Sequence, residues 1–127
     1  MSWGIGIDLC ETGGIAERMG KHPHWRQTVF TGEEQAYCDA QWSPFEHFAG
    51  RFAAKEAVVK ALQIDGWDPL EVEICDGDPA PQVRLSGAIA EAAARLGVRV
   101  TVSITHVTTM AAAVALAVPN PTSRDAE

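Results

Sequence analysis

The longest regular pattern in the sequence runs from Pro44 to about Gln63 and predicts a single long helix. It opens with Ser43-Pro-Phe-Glu46, a capping-box pattern that is typical of helix starts and puts Pro44 at the favoured first position. Gly66 and Pro69 mark its end. The chain has 127 residues, which suits one domain with a modest core, so this helix is a large share of the fold. Apolar residues recur along it at helical spacing: Phe48, Phe52, Ala54, Val58, Ala61 and Leu62.

Shorter elements precede and follow the long helix. Residues 3–9 alternate glycine with aliphatic residues and predict a strand whose glycines allow a close approach. The mixed order favours an α+β fold with antiparallel connections, in one domain over residues 1–118 with a flexible acidic tail over residues 119–127. The other predicted elements are a helix at Thr12–Met19, a helix from the capping box Thr31-Gly-Glu-Glu34, paired strands at Glu71–Cys75 and Gln82–Leu85, an alanine-rich helix capped by Ser86 and ended by Gly97, and strands at Val98–Thr105 and Met110–Val118.

Composition and charge argue against several classes of protein. The formal net charge of −7 is unsuited to nucleic-acid binding by bulk electrostatics. The apolar stretches near Val58–Ile64 and Met110–Val118 are too short to span a bilayer, and we expect no signal peptide. An odd number of cysteines without CxxC spacing predicts reduced structural thiols and a cytoplasmic protein; these are Cys10, Cys38 and Cys75.

Charged residues in the long helix are spaced so that they pair along its surface. Glu56 and Lys60 are four residues apart, and Arg51 and Lys55 form a second such pair that is rotated around the helix axis. One helix therefore presents a carboxylate with three cations around it. A solvated face with ordinary ion pairs explains the same spacing, and the helix alone does not separate the two interpretations.

Two further polar residues lie in or at the ends of predicted strands. Asp8 follows Ile5-Gly-Ile7 in a segment that otherwise indicates a buried strand, so its carboxylate needs a cap, an ion pair or a metal. His106 lies at the end of the strand at Val98–Thr105. The simpler alternatives are an aspartate that caps the next helix and a histidine in a surface turn.

Acids and cations in this combination suit phosphate chemistry with a hard metal. Magnesium takes one or two protein carboxylates and completes its shell with water and substrate phosphate, while Lys and Arg neutralise charge on a leaving phosphate. The sequence has no Walker loop, and Gly4-x-Gly6 is too short for a dinucleotide fingerprint. We therefore expect side chains, rather than a glycine-rich loop, to hold a nucleotide.

Four blocks of the sequence together resemble the small, single-domain holo-[acyl-carrier-protein] synthases. They span nearly the whole chain apart from its tail, and the third is highly specific. The resemblance implies an α+β 4′-phosphopantetheinyl transferase fold, with the long helix packed on a small antiparallel sheet. In order, the blocks are Gly4-Ile-Gly-Ile-Asp8-Leu, Val29-Phe-Thr-Gly-Glu-Glu34, Phe48-Ala-Gly-Arg-Phe-Ala-Ala-Lys-Glu-Ala-Val-Val-Lys60 and Val102-Ser-Ile-Thr-His106.

The resemblance also implies a reaction and a set of site residues. Such enzymes transfer 4′-phosphopantetheine from coenzyme A to a serine of an apo acyl carrier protein and release adenosine 3′,5′-bisphosphate. By carry-over, Asp8 and Glu56 hold Mg²⁺ against the coenzyme A pyrophosphate, and Lys60 stabilises the leaving bisphosphate. Either Glu56 or a water beside the metal takes the serine proton. The other implied coenzyme A contacts are Arg51 and His106 at the 3′-phosphate, Lys55, and Pro81 in the turn near the adenine.

Assembly and docking follow from the same resemblance. Family members are usually homotrimers with interfacial active sites, and they dock an acidic carrier protein of fatty-acid or polyketide synthesis. Gly13 and Gly14 stand where relatives often carry a basic docking residue, and Pro79-Ala-Pro81 lacks the basic residue often found near the adenine. Two other functions stay open: a catalytically silent relative that binds carrier proteins, and a magnesium-dependent coenzyme A pyrophosphatase. The cations that could replace the docking residue are Arg18, Lys21 and Arg26.

Overall fold

Helices and strands are interspersed along the part of the chain that the structure, a computed structural model, describes, which is residues 3–121. The predicted α+β class is confirmed, and the sequence did not predict two short elements, helix α2 and the 3₁₀ turn. In chain order the elements are β1 (Gly4–Glu11), α1 (Thr12–Lys21), α2 (Trp25–Val29), α3 (Gly32–Asp39), α4 (Pro44–Leu62), a 3₁₀ turn (Pro69–Glu71), β2 (Val72–Cys75), β3 (Gln82–Leu85), α5 (Gly87–Leu96), β4 (Val98–His106) and β5 (Met110–Pro119).

The three long strands form an antiparallel sheet in the order β1-β5-β4, while β2 and β3 pair in a separate antiparallel ribbon. Helix α4 packs on one face of the larger sheet. The core between them consists largely of small side chains, so the two layers lie close together. Its buried members include Ala53, Ala54, Ala57, Val58, Val102, Ala113, Ala115 and Ala117.

The glycines of β1 allow its backbone to touch the backbone of α4. A Cβ atom added at Gly4 would lie 2.0 Å from the carbonyl oxygen of Ala61, and one at Gly6 would lie 2.0 Å from that of Ala57. This contact explains the close approach that the glycines predicted. Asp8 follows Gly6 on the same side of the strand, so it is brought directly against α4.

The ends of α3 and α4 confirm one capping prediction and correct another. Thr31 and Glu34 form the predicted capping box at the start of α3. The capping box predicted at Ser43 is wrong, because the Ser43 hydroxyl donates to the carboxylate of Glu46 and caps no backbone N–H. Helix α4 ends at Leu62, because the next residue, Gln63, adopts the left-handed conformation with φ 56°, three residues before Gly66.

Helix α5 is capped by a residue distant in sequence. Ser86 occupies the N-cap position, but its side chain makes no capping bond, so the prediction that it caps the helix is wrong. The carboxylate of Glu71 accepts instead from the backbone N–H groups of Ala88 and Ile89, at 3.3 and 3.4 Å. Gly97 ends the helix in the left-handed conformation, as predicted.

The C-terminal boundary is described only in part. Strand β5 runs to Pro119, one residue beyond its predicted end, so the tail predicted for residues 119–127 begins inside the strand. Residues 122–127 of that tail lie outside the described residues. Within residues 3–121, no helix combines the length and the apolar character needed to cross a membrane.

Candidate active site

Asp8 and Lys60 meet where β1 crosses the last turns of α4. Side chains alternate along β1, so Ile7 and Leu9 point away from the helix and are largely exposed while Asp8 faces it. The Lys60 ammonium lies 3.2 Å from Oδ1 of Asp8 and donates to the backbone carbonyl of Ile7 at 3.0 Å. The Asp8 side chain is 20% exposed and that of Lys60 is 54% exposed, so the pair is anchored in the protein and open to solvent.

Glu56 lies one turn before Lys60 on the same face of α4 and forms a carboxylate pair with Asp8. Burial raises the pKa of Glu56, and the charge of Asp8 raises it further, whereas Lys60 and Arg18 lower it. Burial likewise raises the pKa of the neighbouring Cys10 thiol to about 11, with Asp8 adding to the effect, so the thiol stays protonated near neutral pH. A buried carboxylate beside a second carboxylate makes a donor set suited to a cation.

The chemistry of this pair fits a divalent cation. Mg²⁺ commonly takes one or two protein carboxylates and fills its remaining positions with water and phosphate oxygens. Within residues 3–121, there is no group of three or more His, Cys, Asp or Glu side chains that could hold a metal ion. Asp8 and Glu56 therefore suit an ion whose remaining ligands come from water and a phosphate-bearing substrate.

A groove of about 680 Å³ lies between β1, α1 and α4 and is lined on β1 by Leu9 and Cys10, the residues that follow Asp8. Gly13 and Gly14 line it, and a Cβ added at either would meet nothing within 4 Å, so the missing side chains leave open space. Lys21 and Arg26 are held in ion pairs with Glu17 and Asp39. Arg18 lines the groove, and it is the cation there that faces the carboxylate pair.

A second group of polar side chains lies where β4 ends beside the start of α4. Nδ1 of His106 is 2.9 Å from Oε1 of Glu46, and its ring packs edge-on against His47 with centroids 5.0 Å apart. His47 packs in turn on Tyr37, and the Arg51 guanidinium lies 3.9 Å from the centroid of that ring. Burial lowers the pKa of His47, and the charges of His106 and Arg51 lower it further, so His47 is neutral at neutral pH.

A cavity of about 260 Å³ adjoins this group. Tyr37 and Arg51 line it from the helices, and Arg84 lines it from β3. The Arg84 side chain is 67% exposed and donates to Glu73 at 3.0 Å. Pro81 lies in the β2–β3 turn and is not among the lining residues. Arg84 thus brings to this cavity a cation that the turn itself lacks.

Lys55 is in the interior, on a different side of α4 from Glu56. Its side chain has 0% exposure, and its ammonium contacts Oε1 of Glu34 at 2.8 Å and the carbonyls of Pro69 and Val72 at 2.9 and 2.6 Å. An ammonium has three protons, so these three acceptors use all of them. The structure therefore brings Asp8, Glu56 and Lys60 together. It connects the buried Arg51 to His106 only through the rings of Tyr37 and His47, and it separates Lys55 from both groups.

The family model of the 4′-phosphopantetheinyl transferase superfamily matches residues 4–116. The chain belongs to that superfamily. It is 41% identical to the holo-[acyl-carrier-protein] synthase of Moorella thermoacetica over 116 residues, which cover 87% of this chain and 90% of the relative. It is 36% identical to the Streptomyces griseus synthase over 118 residues, or 90% of this chain and 96% of that protein.

Solved structures show the same similarity. The Chronobacterium ammoniagenes synthase in complex with coenzyme A has a TM-score of 0.83 at 27% identity and covers 94% of this chain and 99% of its own. The Bacillus anthracis synthase in complex with CoA (3′,5′-ADP) has a TM-score of 0.75 at 28% identity and covers 92% of this chain and 96% of its own. The resemblance seen in the sequence is confirmed: this is an enzyme of the holo-[acyl-carrier-protein] synthase type.

The stability of the transferase should depend on pH through the carboxyl group of Glu56. The pKa of Glu56 is raised in the folded chain, so as the pH rises past the ordinary value of 4.5, Glu56 loses its proton first in the unfolded chain. Folding stability is therefore lost as the pH rises through the folded pKa. We expect Glu56→Gln, which has no such proton, to gain in melting temperature relative to the wild type between about pH 4 and about pH 7. Thermal unfolding with a chelator present checks this, and a constant difference over that range would contradict it.

Proposed function

We propose that the enzyme transfers 4′-phosphopantetheine from coenzyme A to a serine of an apo acyl carrier protein, depends on Mg²⁺ and releases adenosine 3′,5′-bisphosphate. The observation that carries this proposal is the pairing of Asp8 and Glu56 beside Lys60 on one open face of α4. Two similar synthases were solved with coenzyme A, which supports the donor.

In this reaction the serine Oγ forms a bond to the phosphorus that carries pantetheine. The bond from that phosphorus to the bridging oxygen breaks, and its electron pair leaves with the bisphosphate. Mg²⁺ held by Asp8 and Glu56 would neutralise charge on the pyrophosphate. Lys60 is positioned to neutralise charge on the leaving group. The serine proton goes to Glu56 or to a water held at the carboxylate pair.

The nucleotide end of coenzyme A is proposed to lie toward the second polar group. Arg51 and His106 supply charge and a ring N–H for the 3′-phosphate, since both are grouped around Tyr37 and His47. The cavity beside Tyr37 suits the adenine, with Arg84 as a cation and Pro81 in the neighbouring turn. Lys55 acts there only indirectly, through the backbone of β2 that it holds.

The carrier protein is proposed to dock along the groove beside α1. Carrier proteins of this kind are acidic, and Arg18 is the groove cation nearest the carboxylate pair. Gly13 and Gly14 reduce the charge available for docking, so Arg18 carries more of it than in relatives with a basic residue there. The acceptor is a carrier of fatty-acid synthesis by default and of polyketide synthesis as the alternative.

A homotrimer with interfacial active sites is also proposed, and the outer face of the larger sheet is its proposed contact surface. Ile5, Ile7 and Leu9 project from β1 away from α4 with 69%, 65% and 64% of their surface exposed, and Leu116 lies beside Ile5 in the register. Apolar rows of this kind on a sheet face mark an interaction surface. Association through this face would add a neighbouring chain to the edge of the active-site groove.

Light scattering tests this assembly. We expect a trimer mass for the wild type, and a monomer mass with more than about tenfold lower activity for Ile5→Lys/Ile7→Lys, because buried charge disfavours association. Trp42→Lys, which changes an apolar side chain exposed elsewhere, serves as the control. A wild-type monomer with full activity would refute the interfacial site.

Nucleotide products separate the proposed transferase from its two alternatives. The enzyme is incubated with coenzyme A and Mg²⁺, with and without a panel of apo carriers from fatty-acid and polyketide synthesis, and adenosine 3′,5′-bisphosphate is quantified by chromatography. We expect the bisphosphate only when an acceptable carrier is present. Release without carrier would indicate a pyrophosphatase, and no release with any carrier would indicate a silent binding protein.

A further inference from the structure

Ser43, Glu46 and His106 form a chain of side-chain contacts that joins the start of α4 to the end of β4. Oε1 of Glu46 lies 2.9 Å from Nδ1 of His106, and Oε2 accepts from the Ser43 hydroxyl. The carboxylate is thus held by two partners at once, and its side chain is only 15% exposed. Ser43 and Glu46, which resemble a capping box in the sequence, therefore connect the start of α4 to strand β4.

The contact fixes which ring nitrogen of His106 carries the proton. Hydrogen bonds from Ser43 and His106 lower the pKa of Glu46, so near neutral pH it is a carboxylate that can only accept. Nδ1 must therefore be the N–H, because a carboxylate cannot donate to it. Since Nδ1 donates to Glu46, only Nε2 remains to meet a ligand. Nε2 donates to an anion only when the ring is the doubly protonated imidazolium, with one N–H directed at Glu46 and the other at the ligand.

The surroundings of His106 indicate what that ligand is. His47 packs on its ring and is neutral, and Arg51 lies on the far side of His47 and Tyr37. Among the described residues, Glu46 is the acid that contacts the ring. The group therefore combines the Arg51 cation with the Nε2–H of a His106 imidazolium whose direction Glu46 fixes, which suits a phosphate monoester.

We propose that Glu46, held by Ser43, is a positioning residue that orients His106 and thereby sets the preference of the enzyme for coenzyme A over the analogue that lacks the 3′-phosphate. This inference rests on the proposed function, in which His106 meets the 3′-phosphate. Glu46 itself touches no substrate in this account. It acts by holding the ring so that Nε2 faces the phosphate.

Steady-state kinetics with coenzyme A and with 3′-dephospho-coenzyme A test the inference. For Glu46→Gln we expect KM for coenzyme A to rise about tenfold, with kcat and KM for the dephospho analogue nearly unchanged. Ser43→Ala should shift KM in the same direction by less. In the His106→Ala background, Glu46→Gln should have no further effect, since it acts through the ring. Glu91→Gln, on the exposed side of α5, is the matched control.

The outcomes distinguish failure of the role of Glu46 from failure of the 3′-phosphate contact or of the transferase function. If the wild type transfers from both donors equally well, the 3′-phosphate contact and this inference both fail. If the wild type prefers coenzyme A and Glu46→Gln keeps that preference, this inference alone fails. If no transfer occurs with either donor, the proposed function fails and the inference with it.

NMR spectroscopy of the imidazole nitrogens tests the same point without activity. We expect the neutral His106 ring of the wild type to carry its proton on Nδ1, and Glu46→Gln to lose that strict preference because an amide can donate as well as accept. A neutral ring with its proton on Nε2 in the wild type would overturn the proposal.

Discussion

Asp8→Asn and Glu56→Gln are each expected to lower kcat for phosphopantetheine transfer by at least about 100-fold while the chain stays folded. Both changes keep the shape of the side chain and remove its charge. Asp8 is held by Lys60 at 3.2 Å, and Glu56 faces it from α4, so either change halves the charge available to a divalent cation. Because the loss concerns the transition state, KM for the carrier should change much less than kcat.

Circular dichroism and thermal unfolding establish that these variants are folded, and Glu56→Gln is expected to unfold at a higher temperature than the wild type without metal. Asp65→Asn and Glu91→Gln make the same chemical changes at exposed positions and should leave the rate unchanged. A folded Asp8→Asn or Glu56→Gln variant that worked within about threefold of the wild-type rate would remove these residues from the site.

Lys55→Met is expected to lower the free energy of unfolding by about 3 kcal/mol or more. The change leaves the Glu34 carboxylate buried without its cation and the backbone carbonyl of Val72 without the Lys55 donor. The Pro69 carbonyl loses one of its two donors and keeps the backbone N–H of Val72. Glu34 also accepts from the backbone N–H groups of Thr31 and Ile74 at 2.8 Å each, so the pair ties α3, α4 and β2 together. Denaturant unfolding followed by fluorescence measures the loss.

Two further variants separate the buried pair from ordinary ion pairing. Lys21→Met breaks the Lys21–Glu17 pair, whose side chains are 68% and 65% exposed, and should cost less than about 0.5 kcal/mol. Lys55→Met/Glu34→Gln removes both charges and should recover part of the loss. If Lys55→Met were as stable as Lys21→Met, the interior pair would have no role in holding β2 against α4.

The positions of Asp8 and Glu56 could be predicted from sequence because they depend on local rules. Alternation along β1 puts Asp8 on the same side as Gly6, and four-residue spacing puts Glu56 and Lys60 on one face of α4. The glycines of β1 also predicted that this strand approaches another backbone closely. These features need only the strand and the helix to be identified correctly, and both were.

Lys55 could not be placed from the same pattern. Helical spacing gives the face of α4 on which a residue lies, but it does not say which element covers that face. Here the 3₁₀ turn and β2 cover it, and their carbonyls and Glu34 occupy the ammonium. An interior cation therefore had the same sequence signature as a ligand-binding one.

The missed residues share a dependence on contacts that are distant in sequence. Tyr37 of α3 and His106 of β4 both pack against His47 of α4, so the group forms only once these three elements are assembled. Arg84 joins it because β3 contributes to the cavity beside Tyr37. The error at Ser43 has the same origin. Its capping-box pattern was read as local, but its Glu46 partner bonds to His106, which is 60 residues away.

The intact mass of an apo carrier protein, recorded after incubation with the enzyme, coenzyme A and Mg²⁺, tests the central claim most directly. We expect the carrier to gain the mass of one 4′-phosphopantetheine group. The gain should need the acceptor serine of the carrier, and a chelator or Asp8→Asn should abolish it. Carriers of fatty-acid and polyketide synthesis that all stay unmodified, with the enzyme folded and metal present, would contradict it.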